Sequence, residues 1–411
     1  MSHTAEPVAG STAVFPLSAL TDPYPFYEEL RARGRLHRII TPLGREAWFV
    51  PHHADACSVL SDPGFSKARH HADTVSADGR KAESALADNM VSTDPPEHTR
   101  LRRLVQAAFT RRQIERLRPR IQEIADDLLD DIGRKPRAEL IRDYALPLPM
   151  LVIAELLGLP RDDLGVLMEH AVFLREIQPS GDLVTRFREQ QAELGDYARR
   201  VIERKRVEPG DDLIQALIEA RDGANRLSER ELVTTVMLFI FAGFLTTANL
   251  IGNGAHELLV NPEQRDLLRA RPELTGTAVE EFLRFQSSIS VVEGHAKADI
   301  PVAEQVIPAG SLIFLPVHSL NRDPAIFVDP DRLDITRTPN PHLAFSHGVH
   351  YCLGAHLARV EGQVALDSLF RRFPGMVLDC EPGEVGWCPS FFIRSIRELP
   401  VRLAAQTSSG R

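Results

Sequence analysis

The 411-residue sequence has few cysteines and no apolar run long enough to span a membrane. Its cysteines are scattered without CxxC spacing, which argues against a disulfide framework and favours a reduced compartment. The longest uninterrupted apolar run, Val236 to Leu245, holds about ten residues, too few to cross a bilayer. The N-terminal stretch MSHTAEPVAGSTAVFP lacks the basic and apolar regions of a signal peptide. We therefore expect a cytoplasmic protein with no membrane association.

Acidic residues outnumber basic ones over the whole chain, but basic residues are concentrated in one place. The formal net charge is -9, which argues against a general nucleic-acid binder. Between Arg100 and Arg120, however, there are eight arginines and one acidic residue, Glu115. This patch is interpreted as a docking face for an acidic partner protein, as a nucleic-acid patch, or as an ordinary solvated face. No DNA-binding motif accompanies it, so the docking face is favoured over nucleic acid.

The periodicity predicts a mainly α chain with a small β portion. From Thr99 to about Phe370 most segments have a helical period. Strand character is found at Glu46–Val50 and on both sides of Pro308-Ala-Gly310, which predicts a hairpin turn there. With 43% hydrophobic residues the composition is that of an ordinary globular protein. We expect one domain over 14–405, with loose tails at 1–13 and 406–411.

A long central helix is predicted to begin after Ser228. Ser228 and Glu231 have the spacing of a capping box, and no proline follows until Pro262. A helix of about 30 residues would be on the order of 45 Å long. In its middle lies FAGFLTTAN, residues 241–249, with a glycine and two hydroxyls where a buried helix would prefer neither.

The strongest motif is FSHGVHYCLGAHLAR, residues 345–359. Cys352 lies between two glycines and just before a predicted helix. Glycines let the backbone approach a flat ligand, and a thiolate is stabilised at a helix N-terminus. This pattern favours an iron porphyrin. The alternatives are a buried structural cysteine, or a zinc site with His347, His350 and His356, which would leave the glycines unexplained.

These residues resemble the haem-binding pattern of the cytochrome P450s, FxxGxHxCxG. The matching residues are Phe345, Gly348, His350, Cys352 and Gly354, and the resemblance extends over nearly the whole chain. It implies the cytochrome P450 fold, mainly α with small β-sheets. In that fold haem b lies between the long central helix and the cysteine-ligand loop, with Cys352 as the axial ligand of the iron.

The resemblance assigns further cofactor and structural residues. Glu281 and Arg284 match the family's ExxR pair, and Arg332 matches the third member of a network that holds the cysteine loop against the core. His98 and Arg102, four residues apart on one helix, match a pair that binds the haem propionates. His350 is a further propionate partner, as is His295, which stands where many relatives have arginine. Ser346 stands where the family mostly has glycine.

The central helix departs from the family at one position. FAGFLTTAN matches the oxygen-binding segment, with Ala242, Gly243 and Thr246 as catalytic-site residues, but Leu245 stands where the family usually has an acid. Thr246 is expected both to bond the Ala242 carbonyl and to serve iron-bound oxygen. Leu245 cannot relay a proton. Protons then come through substrate groups, water or another side chain, or the enzyme works slowly or with peroxide, or the reaction needs less proton delivery.

The implied function is that of a monooxygenase. It would hydroxylate or epoxidise a bulky organic molecule, favoured to be a secondary-metabolite intermediate, with O2 and electrons from a ferredoxin-type partner docking near Arg100 to Arg120. The alternatives are a peroxide-dependent or non-oxygenating P450, and a non-catalytic haem protein. Glu293 is interpreted as a solvated loop carboxylate, as a pocket residue or as a compensation for Leu245. The expected pocket residues are Met90, Phe241, Phe244, Ile289, Val292, Phe391 and Phe392.

Overall fold

The computed structural model describes residues 12–68, 89–176, 183–222 and 225–403. The predicted tail at 406–411 and most of the tail at 1–13 lie outside these ranges, and Ala13 already belongs to a strand. The helices are α1 (Tyr24–Arg33), α2 (His53–Ser61), α3 (Glu97–Ala108), α4 (Arg111–Gly133), α5 (Pro147–Leu157), α6 (Leu164–Glu176), α7 (Leu183–Val207), α8 (Leu213–Glu219), α9 (Glu229–Gly243), α10 (Leu245–Val260), α11 (Pro262–Ala270), α12 (Thr275–Phe285), α13 (Val317–Leu320) and α14 (Ala355–Arg372).

The strands form four small sheets beside this helical body. They are β1 (Ala13–Val14), β2 (His37–Ile40), β3 (Glu46–Phe49), β4 (Phe65–Ser66), β5 (Arg137–Glu139), β6 (Arg221–Asp222), β7 (Asn225–Arg226), β8 (Val291–Ala296), β9 (Ile300–Val302), β10 (Gln305–Ile307), β11 (Leu312–Pro316), β12 (Val377–Leu378) and β13 (Pro400–Arg402). The largest sheet has the order β1-β2-β3-β11-β8-β4. The other sheets are β10-β9, β12-β13-β5 and β6-β7. The mainly α prediction is confirmed.

The hairpin predicted at Pro308-Ala-Gly310 is wrong. A turn is present, because the Ser311 N–H bonds the Pro308 carbonyl and Gly310 has a positive φ of 84°. The strands on either side do not pair with each other, since β10 pairs with β9 whereas β11 pairs with β8 and β3. A local turn signal does not specify which strands meet, because strand pairing is decided by burial across the sheet.

The central helix begins where the sequence predicts and is broken in the middle. Both capping-box bonds between Ser228 and Glu231 are present at the start of α9. Phe244, with φ -119° and ψ -41°, separates α9 from α10. The whole segment Glu229–Val260 is long and apolar enough to cross a membrane, but 78% of its most apolar window is buried inside the protein. This burial is what a core helix shows.

Candidate active site

The loop before α14 presents Cys352 to an internal cavity. The Cys352 N–H donates to the Phe345 carbonyl at 2.9 Å and closes the loop. The Cys352 carbonyl accepts a bond from the Ala355 N–H at 3.4 Å, so the cysteine stands at the start of α14. Burial raises the pKa of the thiol, while the N–H groups of Gly354 and Ala355 and the charges of Arg102 and Arg359 act in the opposite direction. The loop thus places the Cys352 thiol next to several groups that would stabilise its thiolate form.

Gly348 has two reasons to be glycine. Its φ is +72°, and a Cβ at this position would lie 2.8 Å from the Leu60 carbonyl oxygen. Any side chain would therefore push the cysteine loop away from α2. The sequence pattern required a glycine here, and the structure supplies the steric reason.

Ser346 adopts a conformation that suits glycine. Its φ is +63°, and its hydroxyl oxygen is buried without a hydrogen-bond partner among the described residues. A left-handed conformation costs a non-glycine residue about 1–2 kcal/mol. The departure from the family's glycine is therefore a real source of strain in the loop.

Replacing Ser346 by glycine is expected to stabilise the protein. Relief of the left-handed strain exceeds the extra freedom that glycine gives the unfolded chain, leaving a gain of about 0.5–1 kcal/mol. Thermal unfolding of the purified protein measures it. Ser346→Ala, which removes the unpartnered hydroxyl but keeps the strained backbone, separates the two effects. A Ser346→Gly variant less stable than the wild type would contradict the strain argument.

Arg359 braces the cysteine loop, a role that sequence reasoning missed. Its guanidinium lies 4.6 Å from the Phe345 ring centroid and 3.2 Å from the Tyr351 hydroxyl. It also makes a bidentate pair with Glu280 on α12, at 2.6 and 2.8 Å. Burial acts to raise the pKa of Glu280, but Arg359 and His342 outweigh it and lower that pKa to about 2. The position of Arg359 within the cysteine motif was the available signal.

Glu281 and Arg284 form a fully buried pair. Both side chains have 0% exposure, and two bonds of 2.8 and 2.7 Å join them. Arg284 also donates to the carbonyls of Asn321 and Pro330, at 3.0 and 2.7 Å. Asn321 accepts from the Leu343 N–H at 2.7 Å. The pair therefore ties α12 to the segment that leads into the cysteine loop.

The prediction that Arg332 completes this network is wrong. Its guanidinium bonds Asp334 at 3.3 Å and is 65% exposed, and only its backbone carbonyl meets the network. Arg337 takes the place, with its Nε 3.1 Å from Glu281 Oε2 and 10% exposure. The irregular segment 321–341 gave no periodicity from which to tell the two arginines apart.

A cavity of about 480 Å³ lies between the cysteine loop and the central helix. Cys352 and its loop line one part of it, and Ala242, Gly243 and Thr246 line another. This volume lies within the usual range for small-molecule and cofactor sites, about 300–1,000 Å³. The structure therefore brings together the two motifs that the sequence places about a hundred residues apart.

Nitrogen-bearing side chains line the same cavity. His98 is 2% exposed, and neither ring nitrogen has a hydrogen-bond partner among the described residues. Its ring lies 4.4 Å from that of His350. Burial and the nearby Lys67 charge lower the pKa of His350 to about 3. The full set is Lys67, His98, Arg102, His295 and His350. Sequence reasoning missed Lys67, because it follows a short strand and belongs to no recognisable motif. Burial lowers the pKa of Lys67 to about 8.

These residues fit a haem. The thiol of Cys352 is a suitable iron ligand, and cationic or hydrogen-bonding nitrogens such as Arg102 and His98 suit the two carboxylates of a porphyrin. A Cβ on Gly354 would lie 3.9 Å from the sulfur, an ordinary contact distance, so the structure itself sets no steric requirement for glycine there. Within the described ranges no three His, Cys, Asp or Glu side chains form a set that could hold a metal ion, which leaves the zinc alternative without support.

The central helix meets the cavity at its break. The Thr246 hydroxyl donates to the Ala242 carbonyl at 3.0 Å, as expected. A Cβ on Gly243 would lie 2.9 Å from Ile153, so this glycine also allows α5 to pack closely. Leu245 is 1% exposed and belongs to the hydrophobic core, outside the cavity lining. Ser288 donates to the Thr246 carbonyl at 2.6 Å and holds the first turn after the break.

The aromatic part of the predicted substrate pocket is wrong. Met90, Ile289 and Val292 line the cavity as expected. The four expected phenylalanines do not line the cavity. Phe244 is 0% exposed in the core, and Phe391 packs against other buried aromatic side chains near the large sheet. Aromatic residues that line the cavity instead include Phe109 and Phe239. The two sets of expected phenylalanines are Phe241 and Phe244 at the helix break, and Phe391 and Phe392 in the C-terminal region.

The fold and the site define a haem-thiolate protein, and the comparisons identify its family. The family model for cytochrome P450 matches residues 179–380. The P450 monooxygenase PikC of Streptomyces venezuelae is 40% identical over 421 residues, covering 100% of this chain and 99% of the relative. Mycinamicin IV hydroxylase/epoxidase of Micromonospora griseorubida is 39% identical, covering 91% and 94%. The structure of the P450 monooxygenase TamI with tirandamycin C bound has a TM-score of 0.88 at 37% identity, covering 95% and 100%.

The chain belongs to the cytochrome P450 family. It is a monooxygenase of the bacterial type, and its cofactor is haem b. The alternative of a non-catalytic haem protein finds no support, since relatives matched over nearly their full length are named as a monooxygenase and as a hydroxylase/epoxidase.

Proposed function

We propose that the protein hydroxylates or epoxidises a bulky organic molecule, an intermediate of secondary metabolism, using O2 and electrons from a ferredoxin-type partner in the cytoplasm. The observation that carries this proposal is the mostly apolar cavity next to Thr246 and Cys352. The names of the relatives, which include mycinamicin IV hydroxylase/epoxidase and a monooxygenase that binds tirandamycin C, support the substrate class.

In this proposal the protein groups orient the reactants and exclude water. Haem, when bound through Cys352, supplies the activation of O2. His98, Arg102, His295 and His350 hold its carboxylates. Met90, Ile289 and Val292 contact the substrate, and Thr246 offers its hydroxyl to oxygen at the break between α9 and α10.

A ligand screen tests the substrate class. Tirandamycin C and mycinamicin IV are titrated into the haem-loaded protein, and a shift of the Soret band reports a compound that enters the cavity. Compounds that shift it are incubated with O2, a ferredoxin and its reductase, and products are analysed by mass spectrometry. Products heavier by one oxygen atom are expected. Binding limited to small polar compounds would contradict the proposal.

The proposed docking surface is the start of α4. Three arginines there are exposed and make no ion pair within the described part of the chain: Arg111, Arg112 and Arg116. Other members of the basic stretch are neutralised, Arg100 by Glu97 and Arg118 by Glu115, for example. Glu115 also contacts His356 at 2.8 Å, four residues after Cys352. The exposed arginines therefore lie on the cysteine side of the cavity.

The double variant Arg112→Gln, Arg116→Gln is expected to slow reduction by a bacterial ferredoxin about tenfold at low salt, because it removes two steering charges. The difference should shrink as ionic strength rises and screens the remaining charges. Stopped-flow reduction under CO measures the rate. Arg134→Gln, at the far end of α4 and about 30 Å away, is the matched control. Equal rates for the double variant and the wild type would exclude this surface.

A further inference from the structure

One charged side chain in the cavity has no role in the proposed function. Lys67 follows β4 and lines the cavity, and its ammonium has no hydrogen bond or ion pair within the described part of the chain. Burial lowers the pKa of Lys67 to about 8, so most of this side chain still carries its charge at neutral pH. Burial of a cation without a partner is unfavourable. The cavity therefore holds a positive charge that lacks its anion.

Lys67 lies next to chain segments that hold proposed substrate contacts. Its backbone N–H donates to Asp94 Oδ1 at 3.0 Å, and Asp94 follows Met90 by four residues. On the other side, β4 pairs with β8 in antiparallel register, which places Lys67 beside the part of β8 that leads back to Val292. Met90 and Val292 both line the cavity. The ammonium is therefore held near the wall that a substrate would touch.

The carboxylates of haem are the rival ligand for Lys67, because its charge acts on His350. Four other side chains, however, offer nitrogens to these two carboxylates: His98, Arg102, His295 and His350. They provide two groups for each carboxylate, which is enough to hold both. Lys67 is therefore a cation in excess of what the haem requires.

A single carboxylate suits this position better than a more highly charged group. Lys67 offers one ammonium as a point charge, whereas recognition of phosphate favours several donors or the fork of an arginine. The charge of Glu293 also acts on Lys67, which disfavours a second negative charge on the ligand. The rest of the lining is mostly apolar, with Met90, Ile289 and Val292 among it. The ligand that fits is an organic acid with a large apolar body.

We propose that Lys67 binds the carboxylate of the substrate, and that the substrate is an organic acid. This inference rests on the proposed oxygenation and narrows its substrate class. The ion pair forms without making or breaking a covalent bond. It fixes one end of the substrate while the apolar body lies against Met90 and Val292. Lys67 is thus a specificity-determining residue that does not touch the reacting atoms.

Ligand binding tests the inference without turnover. Myristic acid, 2-naphthoic acid and their methyl esters are titrated into the haem-loaded protein, and the shift of the Soret band gives each Kd. Lys67→Gln should weaken binding of the acids about 10- to 100-fold, the worth of a hydrogen bond between charged groups, and should change binding of the esters little. Lys67→Arg keeps the charge and should largely restore acid binding.

Lys297→Gln is the matched control, because Lys297 pairs with Asp94 at 3.5 Å and does not line the cavity. It should bind the acids as the wild type does. A wild type that binds neither acid, or a Lys67→Gln variant that treats acids and esters alike, would overturn the inference.

Haem release separates the two sources of carboxylate. Transfer of haem to apomyoglobin should proceed at the wild-type rate from Lys67→Gln, whereas Arg102→Gln should release haem faster. Faster release from Lys67→Gln with unchanged acid binding would identify haem as the ligand and overturn the substrate assignment. If the acids bind through Lys67 but no compound is oxygenated, the binding site stands and the proposed oxygenation fails. If wild type and Lys67→Gln oxygenate acids and esters equally well, the oxygenation stands and the inference fails.

Discussion

Replacing Cys352 by alanine is expected to abolish the far-red Soret band of the reduced CO complex. Cys352 is the one described cysteine whose side chain lines the cavity, so no other thiol there can take its place. Burial alone raises the pKa of this thiol, and a bound metal ion is what deprotonates a coordinating thiol. The spectrum thus reports directly on the thiolate–iron bond.

The measurement uses haem-loaded protein reduced under CO, with circular dichroism to show that the variant is folded. Cys388→Ala is the matched control, because Cys388 is buried at 6% exposure but does not line the cavity. Its spectrum should equal that of the wild type. A Cys352→Ala protein that kept the far-red band would refute the assignment of the haem ligand.

Replacing Glu281 by alanine is expected to destabilise the protein by about 3–5 kcal/mol. The carboxylate is fully buried and accepts bonds from Arg284 and Arg337, so its removal leaves two guanidinium groups without their charge partner in the interior. It also accepts from the backbone N–H of Asp334 at 2.9 Å. Thermal unfolding measures the loss, and haem retention measures its effect on the cysteine loop.

The two arginines provide a sharp comparison within this network. Arg337→Ala should cost clearly more than Arg332→Ala, because Arg337 is buried against Glu281 whereas Arg332 is exposed beside Asp334. The exposed pair should contribute about 1 kcal/mol or less. If Arg332→Ala proved the more damaging change, the assignment of Arg337 to the network would be wrong.

Local sequence signals predicted the elements of this fold well. The capping box at Ser228 and Glu231 places the start of the central helix, and the periodicity after Gly354 gives α14 within a residue at each end. These features depend on residues close together in the chain. The pairing of β11 with β8 and β3, in contrast, joins segments that no turn signal connects.

Within the site, the sequence predicted the residues that only one residue type can supply. It did not predict which of several similar side chains line the cavity. Cys352 and Gly348 were recognisable because each has a requirement that few residue types meet, a thiolate in one case and a positive φ in the other. The substrate-pocket phenylalanines were not separable by pattern, because a large apolar side chain satisfies a core and a cavity wall equally well. Phe244 is in the core, whereas Phe239 lines the cavity.

The sequence by itself determined the mainly α class, the family and the haem-binding loop, because these depend on short motifs with strict chemical demands. Only the tertiary structure decided that Arg337 rather than Arg332 meets Glu281, and that Lys67 and Glu361 share the cavity with Cys352. Such partnerships are made across many residues by helix packing, as where Gly362 lets α14 approach Leu250. A single sequence carries no local pattern that encodes those distances.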